Sequence, residues 1–245
     1  MDYSGLPKIE LHLHLDCSLS YDVVTKINPA ITREEYREKF IAPPKCADLA
    51  DYLTRAFHAV DLIQTEEQLR LVTLDLFDQL KADNVIYAEI RFGPILHTQK
   101  GLAPEEVVQA VLEATEEGVN RTGVQAGLIL STLRNYSEEQ SMQTVELARQ
   151  FNGPGSRVFG FDIAADEAGY PIDNHIKAFQ FAKKHGISRT AHAGEARGAD
   201  SVWETLRHFE PTRIGHGVRS AEDPELLVYL RDHRIHLEVC PTSNV

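Results

Sequence analysis

Seven short apolar runs, separated by helical stretches with their own start signals, limit this chain to few folds. The runs are Lys8–His14, Val85–Phe92, Val124–Thr132, Val158–Ala164, Ser188–Ala193, Arg213–His216 and Ile235–Cys240. Each is short and apolar on both faces, as strands buried beneath helices require. Alternating strands and helices predict a parallel sheet with a right-handed crossover at each step. An α/β barrel of the TIM type, (β/α)8, commonly takes about 250 residues, and this chain has 245. The expected fold is therefore such a barrel, with about seven of its βα strands in residues 1–245.

The helices carry recognisable starts. Thr65-Glu66-Glu67-Gln68 reads as a capping box for a helix whose Leu69, Val72, Leu76 and Leu80 share one face. Ser137-Glu138-Glu139-Gln140 and Ser201-Val202-Trp203-Glu204 repeat the pattern. Pro104 and Pro224 suit first-turn positions, and Gly186 suits the left-handed residue that ends a helix over Ile172–His185. The stretch between His14 and Thr65 is unusually long and holds helical segments at Ser20–Asn28, Thr32–Phe40 and Ala47–Ile63. Insertions after a barrel's first strand lie on its active-site face, so residues 18–64 are expected to form a lid. No linker or repeat interrupts the pattern, which predicts a single barrel domain over 1–245. Seven strands would leave two unpaired sheet edges. Either the barrel closes irregularly or, the favoured reading, the chain is the front part of a longer one, open to self-association.

Charge and cysteine usage narrow the partners. Twenty-five basic against 37 acidic residues give a net charge of −12, and no basic patch stands out, which argues against nucleic acid. No apolar run is long enough to span a bilayer, and Met1–Glu10 lacks a signal-peptide core. Cys17, Cys46 and Cys240 are odd in number and form no Cys-x-x-Cys pair. A cytoplasmic protein with reduced thiols and no membrane partner is expected.

Chemistry gathers where strands end. His12 and His14 lie two apart on the first strand and so share a face. His192 ends the fifth, with Glu195 three residues on, and His216 ends the sixth between Gly215 and Gly217. Imidazoles converging at barrel strand ends suit a divalent metal such as zinc, which in hydrolases takes three or more protein ligands and leaves a position for water. Such an ion lowers the pKa of water to roughly 7. Glu195 would then handle a proton without being a ligand, unless it is a loop carboxylate paired with Arg197. His216 would orient the attacking water or stabilise charge; its alternative is a packed core histidine. Asp16 caps a helix or hydrogen-bonds a polar substrate group. Asp166 and Glu167, after the fourth strand, are turn residues or line the same cavity. His58, His175, His185, His208 and His233 fall on helical stretches as surface or packing residues.

Together, Leu6-Pro7-Lys8-Ile9-Glu10-Leu11-His12-Leu13-His14-Leu15-Asp16, His192-Ala193-Gly194-Glu195, Gly215-His216-Gly217 and Cys240-Pro241-Thr242-Ser243-Asn244 resemble the adenosine deaminase family, in order and along essentially the whole chain. The resemblance implies a (β/α)8 barrel with one zinc ion, converting adenosine to inosine, and deoxyadenosine to deoxyinosine, with release of ammonia in purine salvage. It implies His12, His14 and His192 as zinc ligands and Glu195 as the acid that protonates purine N1. His216 would orient the attacking water. His14 and Asp16 would lie near the ribose, with Asp16 bonding the 5′-hydroxyl, and the Ala165 backbone would contact the purine.

Family members usually carry glycine where Cys17 and Ala165 stand. The family's eighth-strand aspartate, a further metal ligand, would fall beyond Val245, so the 245-residue chain alone is expected to be poorly active. Relatives acting on adenine tend to carry glutamate at the place of Asp16, and those acting on N6-methyl-AMP asparagine; Asp16 favours a nucleoside. An inactive or non-catalytic relative is the alternative from another class. No lysine ends the fourth strand to bridge two metals, and no Pro-Cys-x-x-Cys marks a cytidine-type deaminase.

Overall fold

The computed structural model describes residues 5–244. Seven strands pair in chain order: β1 (Lys8–His14), β2 (Val85–Phe92), β3 (Gln125–Leu133), β4 (Val158–Ala164), β5 (Ser188–Ala193), β6 (Arg213–His216) and β7 (His236–Glu238). Every strand expected from the apolar runs is present, with bounds moved by a few residues. Between them lie α1 (Tyr21–Ile27), α2 (Arg33–Lys39), α3 (Leu49–Leu62), α4 (Glu66–Ala82), α5 (Pro104–Thr122), α6 (Glu138–Phe151), α7 (Ile176–Lys184), α8 (Ala199–Phe209) and α9 (Pro224–Asp232). This is the order of a TIM-type (β/α) barrel, carried through seven strands. Among the described residues, no helix is long and apolar enough to cross a membrane.

The chain forms two compact units, one of Met1–Cys46 with Thr54–Leu128, the other of Ala47–Leu53 with Ile129–Val245. In the first, β1 runs parallel to β2, with His14 opposite Arg91. Helix α4 buries Leu69, Val72, Leu76, Phe77 and Leu80, the stripe legible in its sequence. Each such side chain contributes about 1.5–3 kcal/mol on burial. Gly118 of α5 abuts the Phe77 ring so closely that a Cβ would overlap it, so α4 and α5 approach through glycine.

In the second unit, β4, β5, β6 and β7 are successive parallel neighbours, with Ala193 opposite His216. Ala193, Val202, Leu206, Ile214, Leu226 and Leu230 pack as one buried cluster beneath α8 and α9.

Three start signals behave differently from expectation. Thr65 accepts from the Gln68 N–H, but the Gln68 side chain reaches back to the Gln64 N–H instead of the cap residue. Asp16 caps no α-helix; it sits in the 3-10 turn Leu15–Cys17, while Ser20 caps α1. Ser201 lies inside the first turn of α8, whose cap is Gly198, because its hydroxyl is spent on a buried carboxylate. Ser137 forms the full box, Pro104 and Pro224 open α5 and α9, and Gly186 is left-handed at φ +68°.

Candidate active site

In the first unit, His12 and His14 leave the same face of β1, their ring centroids 5.3 Å apart. Asp16 follows and is buried. Its Oδ2 accepts from the Gly93 N–H at 3.1 Å and its Oδ1 lies 2.7 Å from His97 Nε2. His97 Nδ1 donates to the Ile63 carbonyl at 2.7 Å. Histidine 97 thus orients Asp16 from behind, a link no local sequence pattern announces.

In the second unit, His192 ends β5 and is 4% exposed. Its Nδ1 sits 3.1 Å from Asp162 Oδ2, and Asp162 also accepts from the Ser131 hydroxyl. A carboxylate on Nδ1 fixes the ring and makes Nε2 the nitrogen a cation would use. Arg134, buried, donates from Nη2 to the His192 carbonyl at 2.9 Å.

His216 ends β6, with its ring centroid 5.2 Å from that of His192. It holds φ +64°, and Gly217 follows at φ +67°. Left-handed backbone is costly for a histidine and persists where the surroundings enforce it. Here the Gly217 N–H donates to the Ala193 carbonyl, locking the turn to β5. Asn244 Oδ1 accepts from the Cys240 N–H, which turns its amide nitrogen toward His216 Nδ1 at 3.0 Å. That amide orientation follows from its hydrogen bonds. It makes His216 Nδ1 the acceptor and leaves the ring proton on Nε2, which lies 3.4 Å from Glu195 Oε2.

Glu195 stands two residues beyond β5, after Gly194 at φ +66°. A Cβ on Gly194 would lie 2.6 Å from Val202 Cγ2, so only glycine lets the chain turn so close to α8. Burial pushes the Glu195 pKa up to about 7; His192 opposes the rise, Glu167 adds to it and Arg134 opposes it. The Arg197 partner weighed for Glu195 is engaged elsewhere, with Asp200 and Glu204. Glu167 is 1% exposed and is no solvated turn residue. Ala165, between it and β4, takes φ +77°, the left-handed conformation that glycine adopts without cost.

The sequence singled out His12, His14, Asp16, Ala165, His192, Glu195 and His216. The structure joins His12 to His14 in the first unit, and His192, Glu195 and His216 in the second. The residues that hold these (His97, Arg134, Asp162 and Asn244) were not assigned roles. Asn244 carries a signal in the Cys-Pro-Thr-Ser-Asn run, and His97 a weaker one in its place after Pro94, just past the second strand. Of the helical histidines, His175 is buried between Ser141 and the Arg134 carbonyl, a packing role as expected.

Imidazole and carboxyl groups carried just past the C-terminal ends of parallel strands are what a TIM-barrel hydrolase presents. Residues 7–245 match the family model described as adenosine deaminase. The protein is 35% identical to an adenosine deaminase of Clostridium acetobutylicum, over 98% of this chain and 73% of that one. It is 37% identical to an adenosine deaminase of Enterococcus faecalis, over 98% of this chain and 72% of that one. Among solved structures, an adenine deaminase from Arthrobacter aurescens superposes with a TM-score of 0.85 at 30% identity, covering 98% of this chain and 73% of that one. The chain belongs to the adenosine deaminase family of hydrolases.

Proposed function

We propose that the protein hydrolyses adenosine to inosine, and deoxyadenosine to deoxyinosine, releasing ammonia, with one zinc ion. Glu195 carries this reading: a buried carboxyl with its pKa pushed up to about 7 beside His216 is a proton donor at neutral pH. The donor set suits zinc, because His12, His14 and His192 offer imidazole nitrogens and Asp162 holds His192 by Nδ1. Bound there, zinc would supply a water acidified toward neutrality.

The remaining work falls to the chain. Glu195 delivers a proton to purine N1, which makes C6 electrophilic. His216, held by Asn244, directs the water to C6. The C6–amino bond then breaks, and the nitrogen leaves as ammonia with one of the water's protons while the other returns to Glu195. Asp16, oriented by His97 and Gly93, receives the 5′-hydroxyl beside His14, and Ala165 lies against the purine. The helices within 18–64 form a lid over this site, and residues 1–245 act as one barrel domain.

A second reading, adenine as substrate, draws on the adenine deaminase from Arthrobacter aurescens. Rates of ammonia release from adenosine and adenine, and of methylamine release from N6-methyl-AMP, by the zinc-supplemented protein separate the readings. Adenosine is expected to lead in kcat/KM by at least about tenfold, the worth of one good hydrogen-bonding contact. A higher kcat/KM on adenine would overturn the proposal.

A further inference from the structure

The loop that carries Glu195 is tied to one buried side chain. Glu167 Oε1 accepts from the Gly194 N–H at 2.7 Å and the Ser201 hydroxyl at 2.6 Å. Its Oε2 accepts from the N–H groups of Glu195 at 3.0 Å, Ala196 at 2.6 Å and Arg197 at 3.0 Å. Four consecutive backbone donors and a hydroxyl therefore converge on a single carboxylate. No helix or strand pairs those four N–H groups, which precede α8. Left without a partner in the interior, each would cost about 1–3 kcal/mol, so the carboxylate is what allows the chain to run through this place.

We propose that Glu167 is the positioning residue for Glu195, a buried anion that fixes residues 194–197 and so holds the Glu195 carboxyl against His216. Three features make an anion the fitting anchor. A carboxylate offers acceptor sites on both oxygens, about four in all, and the five donors here crowd every one, whereas a carboxamide would turn two N–H groups of its own toward them. Charge-assisted bonds of this kind are about twice as strong as neutral ones. The group also stays ionised: burial pushes its pKa up, and the bonds from Ser201, Arg197, Ala196 and Gly194 more than offset this, leaving it below the usual carboxylate range.

The geometry is directional. Glu167 comes from the segment after β4 and Glu195 from the segment after β5, so the carboxylate spans two neighbouring strand ends. The Arg219 N–H donates to the Gly194 carbonyl on the loop's other side. With both constraints, Gly194 can hold the left-handed turn that starts the loop. Once Glu167 is replaced, the Glu195 backbone is freed over a range on the order of an ångström, enough to cost about 100-fold in a reaction that needs a placed proton donor.

This inference rests on the deaminase reading only for what Glu195 does; the anchoring itself can be measured without turnover. Amide hydrogen exchange of residues 194–197 and of α6 is followed in the unsubstituted protein, Glu167→Gln and Ser201→Ala, alongside kcat and KM on adenosine with zinc. Glu167→Gln is expected to accelerate exchange at 194–197 by about 100-fold while α6 is unchanged. It should lower kcat by about 100-fold with KM within about threefold. Ser201→Ala keeps the four backbone bonds and is expected to loosen the loop by about two- to tenfold, again locally.

Unchanged protection at 194–197 in Glu167→Gln overturns the proposal. Equal loosening of α6 and the loop also overturns it, by showing a scaffold role. Should Glu167→Gln fail to fold, Ser201→Ala decides: loosening confined to the loop supports the anchor, and none refutes it. Turnover by the 245-residue chain is expected to be slow, so the deaminase reading fails on a higher kcat/KM for adenine than for adenosine, while the exchange result stands or falls alone.

Discussion

His216 Nε2 and Glu195 Oε2 lie 3.4 Å apart, one side chain from the end of β6 and the other from the loop after β5. The two are brought together by unusual backbone: φ +64° at His216, and φ +66° at Gly194 just before Glu195. Strain of this sort collects where a protein aims its side chains at a ligand.

The raised pKa of Glu195 ties this pair to stability. Its folded value of about 7 stands above that of an unfolded glutamate. Its favourable contribution is therefore complete below the unfolded pKa and is lost as pH rises through about 7. Glu195→Gln, which keeps the shape without the charge, should stabilise the metal-free protein by about 2 kcal/mol at pH 8. The gain should vanish only below the unfolded pKa, by about pH 4. Thermal melts of both proteins across that range check it, and a gain that does not change with pH contradicts it.

Asn244 sets which nitrogen of His216 carries the proton. Asn244→Ala removes the donor to Nδ1 and lets the ring proton redistribute. The 15N shifts of the His216 ring should move toward the other tautomer, and kcat should fall by about tenfold or more with KM little changed. Unaltered ring shifts would remove Asn244 from the account.

Ala165 holds a conformation suited to glycine. Left-handed backbone costs an alanine roughly 1 kcal/mol. Ala165→Gly should therefore raise stability by up to about 1 kcal/mol, and Ala165→Val should lower it by more than about 1 kcal/mol, since a β-branched residue fits that region worst. Denaturant titration of the pair checks the order; a less stable glycine variant contradicts it.

Asp16 and His97 form a buried pair closed by Gly93 and Ile63. His97→Ala leaves the Asp16 carboxylate without its imidazole, which should cost about 3–5 kcal/mol. Asp16→Asn with His97 retained should cost less. Equilibrium unfolding measures both, and a silent His97→Ala would show that the pair contributes nothing.

The strands were readable because apolar runs between helix signals leave few alternatives, and the chemical side chains because His-x-His and His-x-x-Glu stand at run ends. What lay hidden was long-range. Glu167 and Asp166 look alike in sequence, yet Glu167 gathers N–H groups from 27–30 residues on. Ser201 carries a capping signal that spacing alone supports, but Glu167 takes its hydroxyl and the helix begins earlier. His97 sits 81 positions from Asp16. Such pairings are made by the sheet's neighbours, and no local period encodes them.

The proposed function requires that His12, His14 and His192 hold one cation. Zinc per chain, measured by elemental mass spectrometry after dialysis, tests it most directly in the unsubstituted protein and in His12→Ala and His192→Ala. The account predicts close to one zinc per chain, lost in both variants while their folded circular-dichroism spectra persist. Zinc retained in either variant, or none taken up by the unsubstituted protein from a zinc-containing buffer, would contradict it.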